Sequence, residues 1–322
     1  MQCPQQEAVD NERQSGYDGG NMITAVFVES LPLCFIGYFV LFYLLFSATV
    51  TDFKTLTISD RITVFGTVFA VAFSMLPVNC ALSASEICWN GYNPIITPMP
   101  LNLFSPNPAV PMTPVTVWIV CSGLWCFWCF AMLDRFWYPQ FPFRKNCIVF
   151  FRHLYRSRQT KYYFSAALAG SAFFALNPCL ALLSSLTGAA AGMCLIWGTR
   201  IICSYVLRQE AMGFGDVTLM GMIGAFLGWQ PCVLIFFLAP FAGLIFGIVQ
   251  WILKGNNRLP YGPFLSAAAV LTFLAWRQIW QNTADIFSLG GVFIGISMCV
   301  CLLLMGVLLR AVRLFFAQFQ KN

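Results

Sequence analysis

The sequence predicts an all-α fold, a polytopic transmembrane bundle of about nine spans, and three observations carry that reading. Apolar residues make up 59% of the 322-residue chain and charged residues only 9%, against about 25% charge in a soluble globular domain. Apolar runs of about 20 residues, the length that crosses a bilayer, recur along it. The basic residues fall on one side of the membrane once those runs are treated as crossings.

The first 21 residues, "MQCPQQEAVDNERQSGYDGGN", are polar and lack the basic start of a cleaved signal peptide. They read as a disordered tail carried outside with the first helix. Residues 22–322 read as a single transmembrane domain. Spans are expected near 24–50, 61–78, 114–133, 163–183, 184–207, 216–229, 231–253, 261–280 and 286–309. The short run 216–229 ends at "GWQP", where Pro231 should break the helix. A turn around "LSSLTG" divides 163–183 from 184–207; without it the spans number eight.

Orientation follows from Lys and Arg. The loop after the third span holds Arg135, Arg144, Lys145, Arg152, Arg156, Arg158 and Lys161 against the single acid Asp134, which places it in the cytoplasm. Counting outward puts Lys54, Arg61, Arg200, Arg208, Lys254, Arg258, Arg310, Arg313 and Lys321 on the same side. Only Arg13 and Arg277 fall outside. The N-terminus is then outside and the C-terminus cytoplasmic. The loop 79–113, rich in Pro and Asn, is outside.

This placement explains the net charge of +6 without nucleic acid, which is excluded as a partner. The basic loop carries Phe150, Phe151 and Tyr155, and membrane lipids are its expected contact. Most of the 14 cysteines lie within apolar runs, as small helix residues. The Cys126–Cys129 pair has Trp or Phe neighbours and no second pair, so it is no zinc site. His153 is the only histidine. No metal and no cofactor are expected. Cys80 and Cys88 share the outer loop, where a disulfide and two free thiols are both compatible with the sequence.

Two acids stand apart. Asp52 closes the first span and Asp216 opens the sixth, and the count of crossings puts both at the cytoplasmic membrane face. Carboxylates at such positions are expensive and mark function. Brought together, two of them cannot both ionise easily, so one holds a proton. The ionised member can take a proton from water while the protonated one donates to a scissile carbonyl. The pair titrates as a unit. Gly213 and Gly215, in "GFGD", allow close backbone approach before Asp216. Asp60 is expected to cap the second span.

The motifs around these acids resemble those of type IV prepilin peptidases, membrane aspartyl proteases of the GxGD kind. "TDFKTLTISDRIT" (51–63) is similar to their first catalytic segment: Asp52 matches the first catalytic aspartate, Ile58 the isoleucine, Asp60 the Asp/Asn and Thr63 the threonine. "EAMGFGDVTLMGMIGAFLGWQ" (210–230) resembles the second, with Asp216 as the second catalytic aspartate. "TGAAAGMCLIW" (187–197) is similar to the small-residue helix before it, and "RLPYGPFLSAAA" (258–269), with Pro260, Gly262 and Pro263, to the stretch that follows. The resemblance covers roughly 45–75 and 185–270. It implies cleavage of the short leader of prepilin-like or pseudopilin precursors at the cytoplasmic face of the bacterial inner membrane.

The chain departs from the family pattern in three places. Ser59 stands where Pro is usual, and Thr218 where many members have Lys. The zinc-binding domain of bifunctional members has no counterpart, which implies a peptidase without zinc and gives no basis for methylation of the new N-terminus. Residues 79–183, an outer loop, two spans and the basic loop, read as an insertion. An even number of added spans leaves Asp216 on the side of Asp52. Two other readings keep the acid pair: an ion-coupled transporter, which favours acids near mid-span, and an inactive relative serving pilus or secretion assembly.

Overall fold

A computed structural model describes residues 36–55, 57–76, 114–132, 158–176, 180–207, 212–254, 261–288 and 291–319. Among these residues the regular structure is helical, with no strand. The N-terminal tail, the loop 79–113, most of the basic loop, Arg208 and Pro260 lie outside the described residues.

In chain order the helices are α1 (Ile36–Thr55), α2 (Asp60–Ser74), α3 (Pro114–Ala131), α4 (Arg158–Leu176), α5 (Leu180–Leu207), α6 (Phe214–Leu227), α7 (Trp229–Lys254), α8 (Gly262–Leu274), α9 (Trp276–Ser288) and α10 (Gly291–Phe319). The all-α membrane bundle expected from composition is what forms. Among the described residues three helical stretches are long and apolar enough to cross a membrane: Ile36–Thr55, Pro114–Ala131 and Ala181–Val206. Phe214–Leu227, Trp229–Gly243, Gly262–Leu274 and Phe293–Leu304 are apolar but shorter. Outward faces carry Phe39, Tyr43, Phe46, Phe164, Phe173, Leu303 and Leu304, the surface a bilayer would cover.

Two boundaries differ from expectation. The helix α5 runs through "LSSLTG" from Leu180 to Leu207, and α4 ends at Leu176. The hydroxyls of "LSSLTG" do not turn the chain because they find acceptors elsewhere. Thr187 Oγ1 donates to Leu183 O at 2.7 Å, and Ser185 Oγ donates across to Ala225 O at 2.8 Å. The run 261–280 ends at Leu274, and the polar-faced α9 follows after Ala275. Its buried Phe287 packs edge-on against Trp229, with ring centroids 5.6 Å apart.

Side-chain contacts fix the directions of the helices. Gly37 faces Phe73 and Gly66 faces Leu44, so α1 and α2 run antiparallel. Gly66 also faces Met222 while Gly215 faces Ile58, so α2 and α6 run parallel. Gly188 meets Gly224, and Gly192 meets Met220, so α5 opposes α6. The rings of Tyr38 and Phe42 meet Phe273, at the opposite end of α1 from its contact with the head of α8. The C-terminal end of α1 therefore lies beside the N-terminal ends of α6 and α8, as an alternating path of crossings requires.

The centre of the bundle is α6. Its 14 residues rise about 21 Å, and the stretch Asp216–Ala225 is buried throughout. It ends at Gly228, whose φ of 89° is left-handed and suits glycine. Gly188 and Gly224 let α5 and α6 touch backbone to backbone: a Cβ on either would overlap the other's carbonyl oxygen. Such small-residue contacts drive helix packing where lipid offers no hydrophobic gain.

A second contact ties α3 to α4. Trp118 Nε1 donates to Ser171 O at 2.8 Å and Trp125 Nε1 to Ala166 O at 3.0 Å. The Trp125 ring lies over Gly170 and stacks on Trp128 at 4.9 Å. Trp125→Phe removes the bond and part of the ring, and is expected to cost about 1 kcal/mol. Reversible unfolding in mixed micelles measures it; an unchanged midpoint would mean the indole bond contributes nothing.

Candidate active site

Three helix ends meet around two carboxylates. Asp52 lies in the last turn of α1, and Asp216 in the first turn of α6. Both are almost fully buried, at 4% and 7% exposed, which is unusual for acids. They come from distant parts of the sequence, yet they lie close enough for the charge of Asp52 to act on Asp216. Asp52 Oδ2 accepts a hydrogen bond from the backbone N–H of Gly262, the first residue of α8, at 3.0 Å.

Ile58 wedges the three ends together. It is buried, in the short link between α1 and α2. A Cβ built on Gly215 would stand 2.8 Å from Ile58 Cβ and 3.2 Å from its backbone nitrogen. One built on Gly262 would stand 2.9 Å from Ile58 Cδ1. Glycine on both sides is thus what lets the link carrying Ile58 sit between α6 and α8.

The two glycines of "GFGD" differ in kind. Gly215 needs its lack of a side chain. Gly213 does not: its φ of −65° and ψ of 152° suit any residue, and the nearest atom to a built Cβ is Asp216 Oδ2 at 3.8 Å, an ordinary contact. Gly213→Ala is expected to leave thermal stability in detergent within about 0.5 kcal/mol, while Gly215→Ala lowers it by about 1–3 kcal/mol. Equal effects would mean that Ile58 does not hold the α6 head.

Asp60 is placed differently from the cap expected of it. It is the first residue of α2, and Ser59 occupies the cap position with an extended backbone and no side-chain cap bond. An acid in the first turn still complements the positive end of the helix. Thr63 Oγ1 donates to Asp60 O at 3.2 Å. Pro263 follows Gly262 in the first turn of α8 and is buried. Tyr261, just before them, lies within electrostatic range of Asp216. Sequence reasoning gave it no role, although it stands inside the motif "PYGPFL". Above the site Arg200 lies over the Phe214 ring, with its guanidinium carbon 5.7 Å from the centroid.

Among the described residues no group of three or more His, Cys, Asp or Glu side chains could hold a metal. The site contains a carboxylate pair, a backbone N–H at a helix head and a tyrosine, set in an apolar bundle.

Such an arrangement defines a membrane-embedded helical protein with a buried diacid, and comparison with known proteins narrows the class. Residues 158–248 match the type IV leader peptidase family. The chain is similar to the prepilin leader peptidase/N-methyltransferase of Aeromonas salmonicida, 33% identical over 90 residues, covering 27% of this chain and 31% of that protein. It is similar to that of Pseudomonas aeruginosa, 32% identical over 101 residues, 30% of this chain and 35% of the other. For that of Escherichia coli the identity is 31% over 97 residues, 28% and 41%. The chain thus matches between about three-tenths and two-fifths of the length of these relatives. No solved structure matches. The likeness to type IV prepilin peptidases read from the motifs therefore stands on the segment that contains Asp216. That family match begins at the head of α4, inside the stretch 79–183, and ends before Gly262.

Proposed function

We propose that this protein is a membrane aspartic endopeptidase that cleaves the short leader of type IV prepilin-like or pseudopilin precursors at the cytoplasmic face of the bacterial inner membrane. The observation that carries the reading is the burial of Asp52 and Asp216 together at one end of the bundle, one of them within the segment similar to leader peptidases. The helix residues that follow Asp216, Val217 to Leu227, are apolar apart from Thr218, a setting suited to a substrate that keeps its own hydrophobic helix in the bilayer.

The chemistry follows from the pair. Two buried carboxylates near one another cannot both ionise easily, and so hold one proton between them. The ionised carboxylate removes a proton from a water molecule, whose oxygen attacks the scissile carbonyl carbon. The protonated carboxyl hydrogen-bonds to the carbonyl oxygen as charge develops there. When the tetrahedral intermediate breaks, the C–N bond opens and the leaving nitrogen receives a proton from the pair. No covalent enzyme intermediate forms. The basic residues Lys54, Arg61 and Arg200 support a cytoplasmic placement of this end.

The test is a leader-cleavage assay with the full chain and a pilin-like precursor from the same genome, read as a size shift on a gel. Cleavage by the wild-type chain supports the reading. An uncut precursor, across several pilin-like substrates, would favour an inactive relative or an ion path through the same acids.

A further inference from the structure

The head of α8 leaves one backbone donor for the carboxylate pair. A helix begins with N–H groups that have no partner inside it, and buried ones must find partners elsewhere. In α8 the accounting is short. Pro263 has no N–H. Phe264 and Leu265 both donate to Tyr261 O, at 3.1 and 3.2 Å. The N–H of Gly262 remains, and it goes to Asp52 Oδ2.

Space at the same residue points to the same carboxylate. A Cβ on Gly262 would stand 2.6 Å from Asp52 Oδ2, closer than real Cβ atoms approach, and 3.3 Å from its Cγ, a tight contact. The backbone does not ask for glycine, since Gly228 is the positive-φ glycine among the described residues. What glycine supplies at 262 is room for a carboxylate pressed against the helix head.

We propose that Gly262 is a positioning residue of the diacid site: its N–H holds Asp52 Oδ2, and its missing side chain allows Asp52 to sit against α8 in register with Asp216. The inference rests on the peptidase reading for its activity readout, and on the geometry alone for a second readout.

Gly262→Ala separates these. In the cleavage assay kcat is expected to fall about 100-fold, the scale of an ångström's misplacement, with KM within about 2-fold because precursor binding elsewhere is intact. The second readout is labelling of Asp52 by a membrane-permeant carbodiimide, followed by peptide mass spectrometry. A carboxyl released from its N–H donor is expected to react several-fold faster or slower than in the wild type, while Asp60 reacts at the wild-type rate.

Ile58→Val, added to Gly262→Ala, removes the Cδ1 atom that the new methyl group also meets, and leaves the clash with Asp52. Cleavage is expected to stay low in the double variant. Wild-type kcat in the single variant, recovery in the double variant, or unchanged Asp52 labelling would each overturn the proposal. Should the single variant not accumulate in the membrane, labelling is compared in the double variant. If the wild-type chain cuts no precursor, the peptidase reading falls, and Asp52 labelling still decides the role of Gly262.

Discussion

Asp52→Asn and Asp216→Asn should each abolish leader cleavage at normal protein levels, and the double variant should be no worse than either single one. Asparagine keeps the volume of the side chain and cannot exchange a proton. General acid–base catalysis by a positioned group contributes about 100-fold to 10,000-fold, so each single loss is expected to reach at least about 100-fold. Non-additivity is the sharper test. Groups that act as one unit lose nearly everything with the first substitution. The two losses multiplying in the double variant would mean that the acids work independently, and the shared proton would have to be abandoned. Cleavage surviving either single change would remove that residue from the chemistry.

Gly188→Leu should be the most damaging substitution away from the acids. At Gly188 an added Cβ overlaps Gly224 O, and it also falls 2.7 Å from Gly228 Cα. These are backbone atoms of α6 and its C-terminal cap and cannot rotate aside as a side chain does. Overpacking of a well-filled interior costs about 1–3 kcal/mol and occasionally more, and this contact belongs at the upper end. The expected result is a large drop in membrane abundance and in thermal midpoint in detergent. Gly123→Leu is the matched control: nothing lies within 4 Å of a Cβ there. Normal stability of Gly188→Leu would mean that α5 and α6 are not in backbone contact.

The helical class was plain in the sequence because a bilayer permits few solutions. Backbone groups in lipid must be bonded internally, and the apolar runs mark where. The acids could be singled out for the same reason, since charge in such runs is expensive. Boundaries were harder. "LSSLTG" looks like a turn because Ser and Thr compete for backbone bonds in isolated peptides. In the bundle those hydroxyls bond Leu183 O and Ala225 O, and α5 continues. The polar-faced α9 was hidden in the tail of an apolar run. Asp60 was misplaced by a single residue, which suffices to turn a cap into a first-turn acid.

At the site the sequence carried residue types without their neighbours. Asp216 and Gly215 were legible through "GFGD". The need for glycine at 215 and not at 213 depends on Ile58, which reaches α6 only through the fold. Tyr261 had no signal separating it from any aromatic residue near a helix start. The hydrogen bond from Gly262 to Asp52 joins residues 210 positions apart, and a backbone donor leaves no trace in residue identity.

That same bond bears on when the site comes into being. The ribosome delivers α1 first and α8 late, with α6 in between. Between the addition of Asp216 and that of Gly262, both acids are already in the chain while the strut that seats Asp52 has not been made. A growing polypeptide in this state has the residues of the site but not their arrangement. On the role proposed for Gly262, the seat for Asp52 arrives only with the eighth helix, and a chain stalled before Gly262 has both acids without it.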